Sequence, residues 1–345
     1  MPASVEIVGI DDPRWRRFVD ASPDALAFHH PSWAKLLAEC YGFRPFALAT
    51  SDADGEIDTG IPVLEVSNVI RRKRWVALPF TDACPPLIRD PAVLTSFVER
   101  LDAARADAGI AQLEVRSALA GPLATHGARA VTHSLQLDPD PDVVLRKLHP
   151  SKVRQPIVRA EREGVTVRRA DSRKDLTDVY YRLHVATRNR LGVPAQPRRF
   201  FDLLWRRMVE PQLGFALLAY IRNTPVAGAV FLVSNGTTTY KFSASDPRYW
   251  NSRPNHLVLW SAIRWSCENS RRLFDFGRTE LEHQGLREFK RGWGTREEPL
   301  LYSSLGAPAT SASHGHARRA VTTVIRRSPS WVCRAVGSAL YRYAA

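Results

Sequence analysis

In the stretch Leu273 to Trp293, LFDFGRTELEHQGLREFKRGW, charged side chains stand where an apolar strand gives way to a helix. Asp275 lies between Phe274 and Phe276 on a strand that reads as buried. Its carboxylate is therefore either a hydrogen-bonded structural group or a base with a raised pKa. Arg278 directly follows the glycine that ends this strand, a place where sheets splay and ligands enter. It can hold a phosphate or carboxylate, or it can pair with Glu280 or Glu282. Tyr240 and Lys241 on an upstream strand, and Arg248 beyond it, are cleft candidates with plainer roles in sheet packing or on a solvated face. Arg253 and Asn255 stand at the start of a long helix, whose positive end suits an anion. The chemistry on offer is anion binding and proton transfer. No metal is expected, because Cys40, Cys84, Cys267 and Cys333 are scattered without a CxxC pair or a nearby histidine cluster.

The elements that must position these residues follow from periodicity. In the first half, Pro31 to Tyr41 places Trp33, Leu36, Leu37 and Cys40 at helical spacing, with Ser32 as cap and Gly42 as stop. Short apolar runs at Phe46 to Ala49, Ile61 to Val66 and Trp75 to Leu78 predict antiparallel strands. A helix from Ala92 to Ala108 and a strand from Gln112 to Val115 follow. The Asp/Pro-rich DPDPD at 138 to 142 reads as a domain boundary. Beyond it come a basic helix from Val143 to Glu163, a strand Val165 to Arg169, and helices to Arg190 and Val209. Three strands follow, Phe215 to Ile221, Val226 to Val233 and Thr238 to Ser243, the last two joined by the Asn235-Gly236 hairpin signal. A helix from Pro254 to Asn269, a strand Leu273 to Phe276, a helix near Gly285 to Arg291 and a strand at Pro299 to Ser303 complete the order βααβββαβαβ. The expected domains are 1–142 and 143–305, with a basic tail at 306–345.

With 345 residues, 44% of them hydrophobic, the chain can bury two cores. Charge divides unevenly: residues 1–145 carry 14 basic and 20 acidic side chains, residues 146–345 carry 35 and 15. The halves are net −6 and +20, which favours an anionic partner for the second half, such as tRNA, a phosphorylated substrate or lipid head groups. Solvated arginine-rich faces are the plainer reading. The opening MPASVEIVGIDDPRWRRFVD lacks an apolar core, so no secretory signal is expected, and no apolar run approaches the roughly 20 residues that span a bilayer. A reducing, cytoplasmic setting is the expectation.

The closing segment resembles the Fem peptidyltransferases, in which a strand ending Asp-Phe-Gly precedes a helix bearing Phe-Lys and a Gly-aromatic pair. Here these are Asp275, Phe276 and Gly277, then Phe289, Lys290, Gly292 and Trp293. KLHPSKVRQPIVRAEREGV, PSWAKLLAECYG and RWVALPFTDACPPL extend the resemblance across both halves, and the element order of the second half is similar to that of GNAT acyltransferases. The resemblance implies an α/β (α+β) chain of two tandem GNAT-like domains with mixed, mostly antiparallel sheets. It implies an acyl or aminoacyl transferase forming an amide on an amine of a cell-envelope precursor, with Phe289 and Lys290 at the transfer centre. A lysine ammonium there stabilises the developing oxyanion more than the ground state.

Several departures bear on the substrates. Acetyl-CoA users place a glycine-rich loop before the long helix, whereas SASDPRYWNSRPNHLV has no glycine. That favours aminoacyl-tRNA as donor over acyl-CoA without deciding between them; no bound cofactor is expected. No heptad arm is present. Trp33 and Lys35 are the first-half candidates for substrate contact, although Lys35 lies only two positions beyond the tryptophan, not at the spacing expected for a nucleotide-diphosphate contact. The alternatives are an acyl-CoA-dependent N-acyltransferase acting on a polysaccharide or lipid intermediate, and a non-catalytic GNAT-like module that binds RNA or anionic surfaces.

The tail holds six arginines and no acid between 306 and 345. Interleaved with Val321, Val324, Ile325, Trp331, Val332, Val336, Leu340, Tyr341 and Tyr343, and broken at Ser328-Pro329, they predict two short amphipathic helices. Such helices either dock at home on the second domain or reach an anionic membrane peripherally, at its inner face.

Overall fold

The computed structural model describes residues 4–67, 72–306 and 322–343. Contacts group the chain into two units. The first is Met1–Ala130, Pro299–Ser313 and Leu340–Ala345, and the second is Val131–Glu298 and His314–Ala339. The division thus falls inside a strand and not at the Asp/Pro-rich stretch.

The first stretch of chain runs β1 (Glu6–Gly9), helices Pro13–Ala21 and Pro31–Tyr41, β2 (Arg44–Ser51), β3 (Ile57–Ser67), β4 (Lys73–Val76), β5 (Leu87–Ile88), helix Leu94–Asp107, β6 (Gln112–Val115) and β7 (Thr125–Gln136). The helix Pro31–Tyr41 buries Trp33, Leu36 and Leu37 and stops at Gly42, which takes φ +78°. Its cap is His30, not Ser32. Pro31 fills the first helical position and holds His30 extended, so that His30 Nδ1 accepts from the Ser32 amide at 3.1 Å. Four elements of this stretch were not anticipated: β1, the helix at Pro13, the two-residue β5, and β7, whose THGARAVTHSLQ has no apolar run.

The remainder runs through helices Pro141–Lys147 and Gln155–Arg162, β8 (Val165–Arg169), and helices Tyr181–Leu191 and Arg198–Leu204. Then come β9 (Gly214–Ile221), β10 (Thr224–Ser234), β11 (Thr237–Ser245), helix Pro254–Glu268, β12 (Leu273–Asp275), β13 (Thr279–Glu280), helix Gln284–Gly292 and β14 (Arg296–Gly306). The single basic helix expected over Val143 to Glu163 is broken. Leu148 and His149 are extended because Pro150 follows, and His149 caps the restart. The Asn235-Gly236 pair makes the tight turn its residues predict, with φ of 40° and 78°.

Each unit builds a six-stranded mixed sheet. In the first the order is β1-β2-β3-β4-β6-β14, in the second β8-β9-β10-β11-β12-β7. In both, the strands up to the fourth are antiparallel, the fifth joins in parallel, and the sixth is antiparallel again. The sixth strands are exchanged in sequence. Residues 303–306, which come after the main segment of the second unit, pair with β6, and residues 134–136, which continue directly from the main segment of the first, pair with β12. The strand at Pro299 to Ser303, expected to finish the second domain, therefore belongs to the first unit. One core packs Phe46, Leu48, Ile61, Val63, Phe97 and Leu113; the other packs Phe215, Phe231, Val258, Ile263, Phe274 and Trp293.

Candidate functional site

The second unit contains a place where its sheet opens. β11 and β12 pair in parallel only at Thr237 with Leu273, Thr238 with Phe274 and Thr239 with Asp275. Beyond this β11 runs on to Ser245 while β12 stops. On its other side β11 shifts register against β10: Tyr240 faces Phe231 and Phe242 faces Val230, which leaves Lys241 as the extra residue of a bulge. Tyr240 packs on Phe231 and edge-on to Phe276, and burial pushes its hydroxyl up to about 12, so it is a neutral phenol. Lys241 sends its ammonium over the Phe242 ring at 5.6 Å.

After β12 the chain turns at Gly277, φ +70°. The Asp275 carboxylate makes this turn, accepting from the Gly277 amide at 2.8 Å and from the Thr132 hydroxyl at 3.1 Å. Of its two readings, the structural one is the one seen. Arg278 is held by both oxygens of Glu280, at 2.8 and 3.0 Å, which is the pairing alternative left open by the sequence.

Lys290 comes from the helix Gln284–Gly292 and reaches into this turn. It is buried, and Nζ donates to the Gly277 carbonyl at 2.7 Å. The residue before it, Phe289, turns toward the first turn of the helix Pro254–Glu268 and packs edge-on to His256, which also stacks on Trp293. Phe289 and Lys290 thus join two places: the open end of β12 and the start of the long helix. Burial first, then the charge of Arg253, pushes His256 down to about 4, so its imidazole is neutral.

Beside Lys290 stands a cluster that sequence reasoning missed. His133 on β7 is buried, its Nε2 2.9 Å from Glu297, and the Phe276 amide donates to its backbone carbonyl. Burial and then the nearby Lys290 charge lower the His133 pKa, while Glu297 opposes them. Arg287, assisted by Arg291, holds the Glu297 carboxyl down near 2, at 2.7 and 3.2 Å. The only signal in sequence was a histidine in alternation on β7.

Arg253 adopts the left-handed region, φ 53°, at the cap of the long helix, and Asn255 donates to Ser245 Oγ at 3.2 Å. Pro254 has no amide hydrogen and the His256 amide is spent on the Arg253 carbonyl. A backbone phosphate nest is therefore poorly provided. In its place Arg253 opens on a cavity of about 800 Å³ whose walls include Arg154, Arg159, Arg162 and Trp260, with Glu161 as the one acid. Such a wall suits a phosphate-bearing ligand through guanidinium forks.

The remaining candidates lie elsewhere. Arg248 is exposed and its guanidinium is taken by Asp246. Trp33, in the first unit, is fully buried with Nε1 donating to Thr81 Oγ1 at 2.9 Å, so it is a core residue and not a substrate contact. Lys35 is paired with Asp11. Among the described residues no cluster could hold a metal ion.

The acetyltransferase (GNAT) domain model matches residues 147–291, which hold the opened sheet, the long helix and Lys290. A lipid II:glycine glycyltransferase of Staphylococcus haemolyticus (strain JCSC1435) is 32% identical over 76 residues, covering 20% of this chain and 18% of that protein. The crystal structure of FemX superposes with a TM-score of 0.70 at 15% identity, over 86% of this chain and 96% of that one. Residues 147–291 carry a GNAT domain, and the fold is that of FemX. A structure of L-PGS from Bacillus licheniformis shares the fold more loosely, with a TM-score of 0.57 at 14% identity over 93% of this chain and 99% of that one. The chain spans less than a fifth of the length of the glycyltransferase it matches, and the parts in common with FemX extend through both units. The same strand order in the two sheets agrees with that coverage.

Proposed function

We propose that this Fem-like protein is an acyl or aminoacyl transferase that forms an amide on an amine of a bacterial cell-envelope precursor. The observation that carries the reading is the buried ammonium of Lys290, held by the Gly277 carbonyl where β11 and β12 part. In the reaction the amine nitrogen attacks the donor's ester or thioester carbon, and the carbonyl π electrons move onto oxygen. The tetrahedral intermediate then collapses, expelling the carrier's hydroxyl or thiol, which takes up the proton the amine gives away. A fixed positive charge in a water-poor site lowers the energy of that oxyanion without reorganising. Phe289, packed on His256, holds the helix so that Lys290 cannot swing out.

The donor end is assigned to the arginine-walled cavity at Arg253. Its side chains, rather than a nest of amides, would meet the phosphates, which favours aminoacyl-tRNA over acyl-CoA. The glycyltransferase relative acts, by its name, on lipid II, and an envelope precursor is the corresponding acceptor here. Work at the cytoplasmic face of the membrane follows from that acceptor. The experiment is to incubate the protein with charged tRNA or with acyl-CoA pools in the presence of envelope precursors and to identify the product by mass spectrometry. Product that vanishes after ribonuclease treatment identifies tRNA as donor; product from acyl-CoA alone reassigns it; no product from either pool overturns the reading.

A further inference from the structure

The described part of the tail does not hang free. Asn189 Nδ2 donates to the carbonyls of Ile325 and Ser328 at 2.7 and 3.1 Å, Arg326 donates to the Leu191 carbonyl at 3.3 Å, and Cys333 Sγ to the Val193 carbonyl at 3.3 Å. Ile325 and Cys333 are fully buried. Gly337 lies so close to Ala195 that a Cβ there would stand 1.8 Å from its carbonyl oxygen. Residues 322–327 and the helix Ser330–Leu340 are therefore docked on the second unit, beside the end of the helix Tyr181–Leu191.

What this docking turns outward is apolar. Of the six large hydrophobic side chains exposed among the described residues of the second unit, four are Leu191, Trp250, Val324 and Trp331, the last 60% exposed. Trp250 belongs to the same neighbourhood: the Arg190 guanidinium lies over its ring at 4.7 Å, and its Nε1 donates to Ser245, whose carbonyl accepts from Thr187. The surrounding chain carries no acid. Residues 179–201 hold five arginines and residues 306–345 six, with no Asp or Glu in either. Carboxylates bordering these stretches are ion-paired: Asp178 with Arg198, Asp202 with Arg173 and Arg206, and Asp246 with Arg248.

We infer that this surface docks the protein on an anionic lipid bilayer, with Trp331, Val324, Leu191 and Trp250 entering the interface and Arg190, Arg326, Arg327 and Arg334 meeting lipid phosphates. Charge alone would serve RNA equally well. The aliphatic Val324 and Leu191 decide for lipid, since they offer nothing to a base or a phosphodiester but gain by leaving water at an acyl boundary. Among the described residues no helix is long and apolar enough to cross a membrane, so the attachment is peripheral. This inference deepens the proposed location and does not depend on the transfer chemistry.

The test is co-sedimentation of the full chain with vesicles of phosphatidylcholine alone or mixed with phosphatidylglycerol, at low and high salt. The wild type should pellet with the mixed vesicles only, and less at high salt. R326Q/R327Q/R334Q should weaken partitioning by roughly fivefold per arginine removed. V324S/W331S, changing only exposed side chains, should release the protein even at low salt, with an unchanged melting temperature. Failure of the wild type to pellet, or equal pelleting by both folded variants, overturns the inference. So does loss of binding to a labelled RNA hairpin in the arginine variant when no vesicle binding existed. Vesicle binding with no transferase activity would leave this inference standing and sink the catalytic reading alone.

Discussion

The two units run the same course: two helices, three antiparallel strands, a helix, and a strand added in parallel. They part company where the parallel pair ends. In the first unit β4 stops at Val76, and residues 77–84 fold back on the end of β6, with the Ala77 amide on the Glu114 carbonyl at 2.7 Å and the Cys84 amide on that of Arg116 at 3.0 Å. Leu78 and Phe80 take positive φ, 55° and 62°, to make this possible, a conformation that costs bulky residues on the order of 1 to 3 kcal/mol each. Arg116 and Trp33 bind Thr81 from either side. In the second unit the corresponding strand bulges at Lys241 and runs on, and the ammonium of Lys290 lies on the Gly277 carbonyl just past the end of β12. One sheet end is closed by its own backbone and the other is left to a charge. That contrast is why the transfer chemistry is assigned to the second unit.

The largest expected effect tests whether the two cores are equally sensitive to acid. Burial, as the leading cause, depresses His29 and His30 in the first unit to about 4, and in the second His184 to about 3 and His256 to about 4. Depressed imidazoles are neutral when folded, so the unfolded chain takes up their protons first. Stability is therefore full above pH 6.5 and falls as pH drops toward 4, by up to about 1.4 kcal/mol per pH unit for each histidine. Urea unfolding at pH 7 and 5.5 checks this; a single transition that moves strongly would show both units failing together, and a pH-independent midpoint would contradict the burial.

Next is Lys290→Ala, which should cost roughly 100 to 1000-fold in turnover, about 2.7 to 4 kcal/mol, with KM little changed. Lys290→Arg should rescue only in part, since a planar fork does not fit the seat of a point charge. Turnover within a few-fold of wild type would erase the difference between the two sheet ends.

Smaller effects sharpen the contrast. Gly337→Ala must push the tail off Ala195, at a cost of about 1 to 3 kcal/mol, visible as faster proteolysis of the last residues. Thr81→Val leaves the Trp33 Nε1 without its acceptor inside the first core and should lower stability by about 1 to 3 kcal/mol while sparing turnover. Lys35→Ala breaks only a partly exposed pair with Asp11 and should change stability by no more than about 1 kcal/mol. A large loss of turnover in Lys35→Ala would return substrate binding to the first unit.

Much of the local structure was legible because it is written within short windows. The helix Pro31–Tyr41 and the strands β6 and β8 appear where apolar spacing puts them, and Asn235-Gly236 turns as those two residues must. The Phe289-Lys290 pair was recognisable from its flanking Asp-Phe-Gly and Gly-Trp. β7 escaped notice since its small and polar residues are satisfied by neighbours far along the chain, and with it went His133 and its contact to Glu297, 164 positions away.

By itself the sequence determined the periods: which stretches are helical, which extended, where proline and glycine stop them, and that one half is basic and the other acidic. Only the tertiary structure decided which sheet receives residues 303–306 and which receives residues 134–136, because a short strand carries no mark of the edge it will pair with. It also decided that Lys290 is buried on a carbonyl and not exposed at a helix end, that Trp33 faces a core, and that Arg278 is spent on Glu280. A side chain's charge and size are local properties, whereas its solvent and its partners are set by whatever the rest of the chain brings against it.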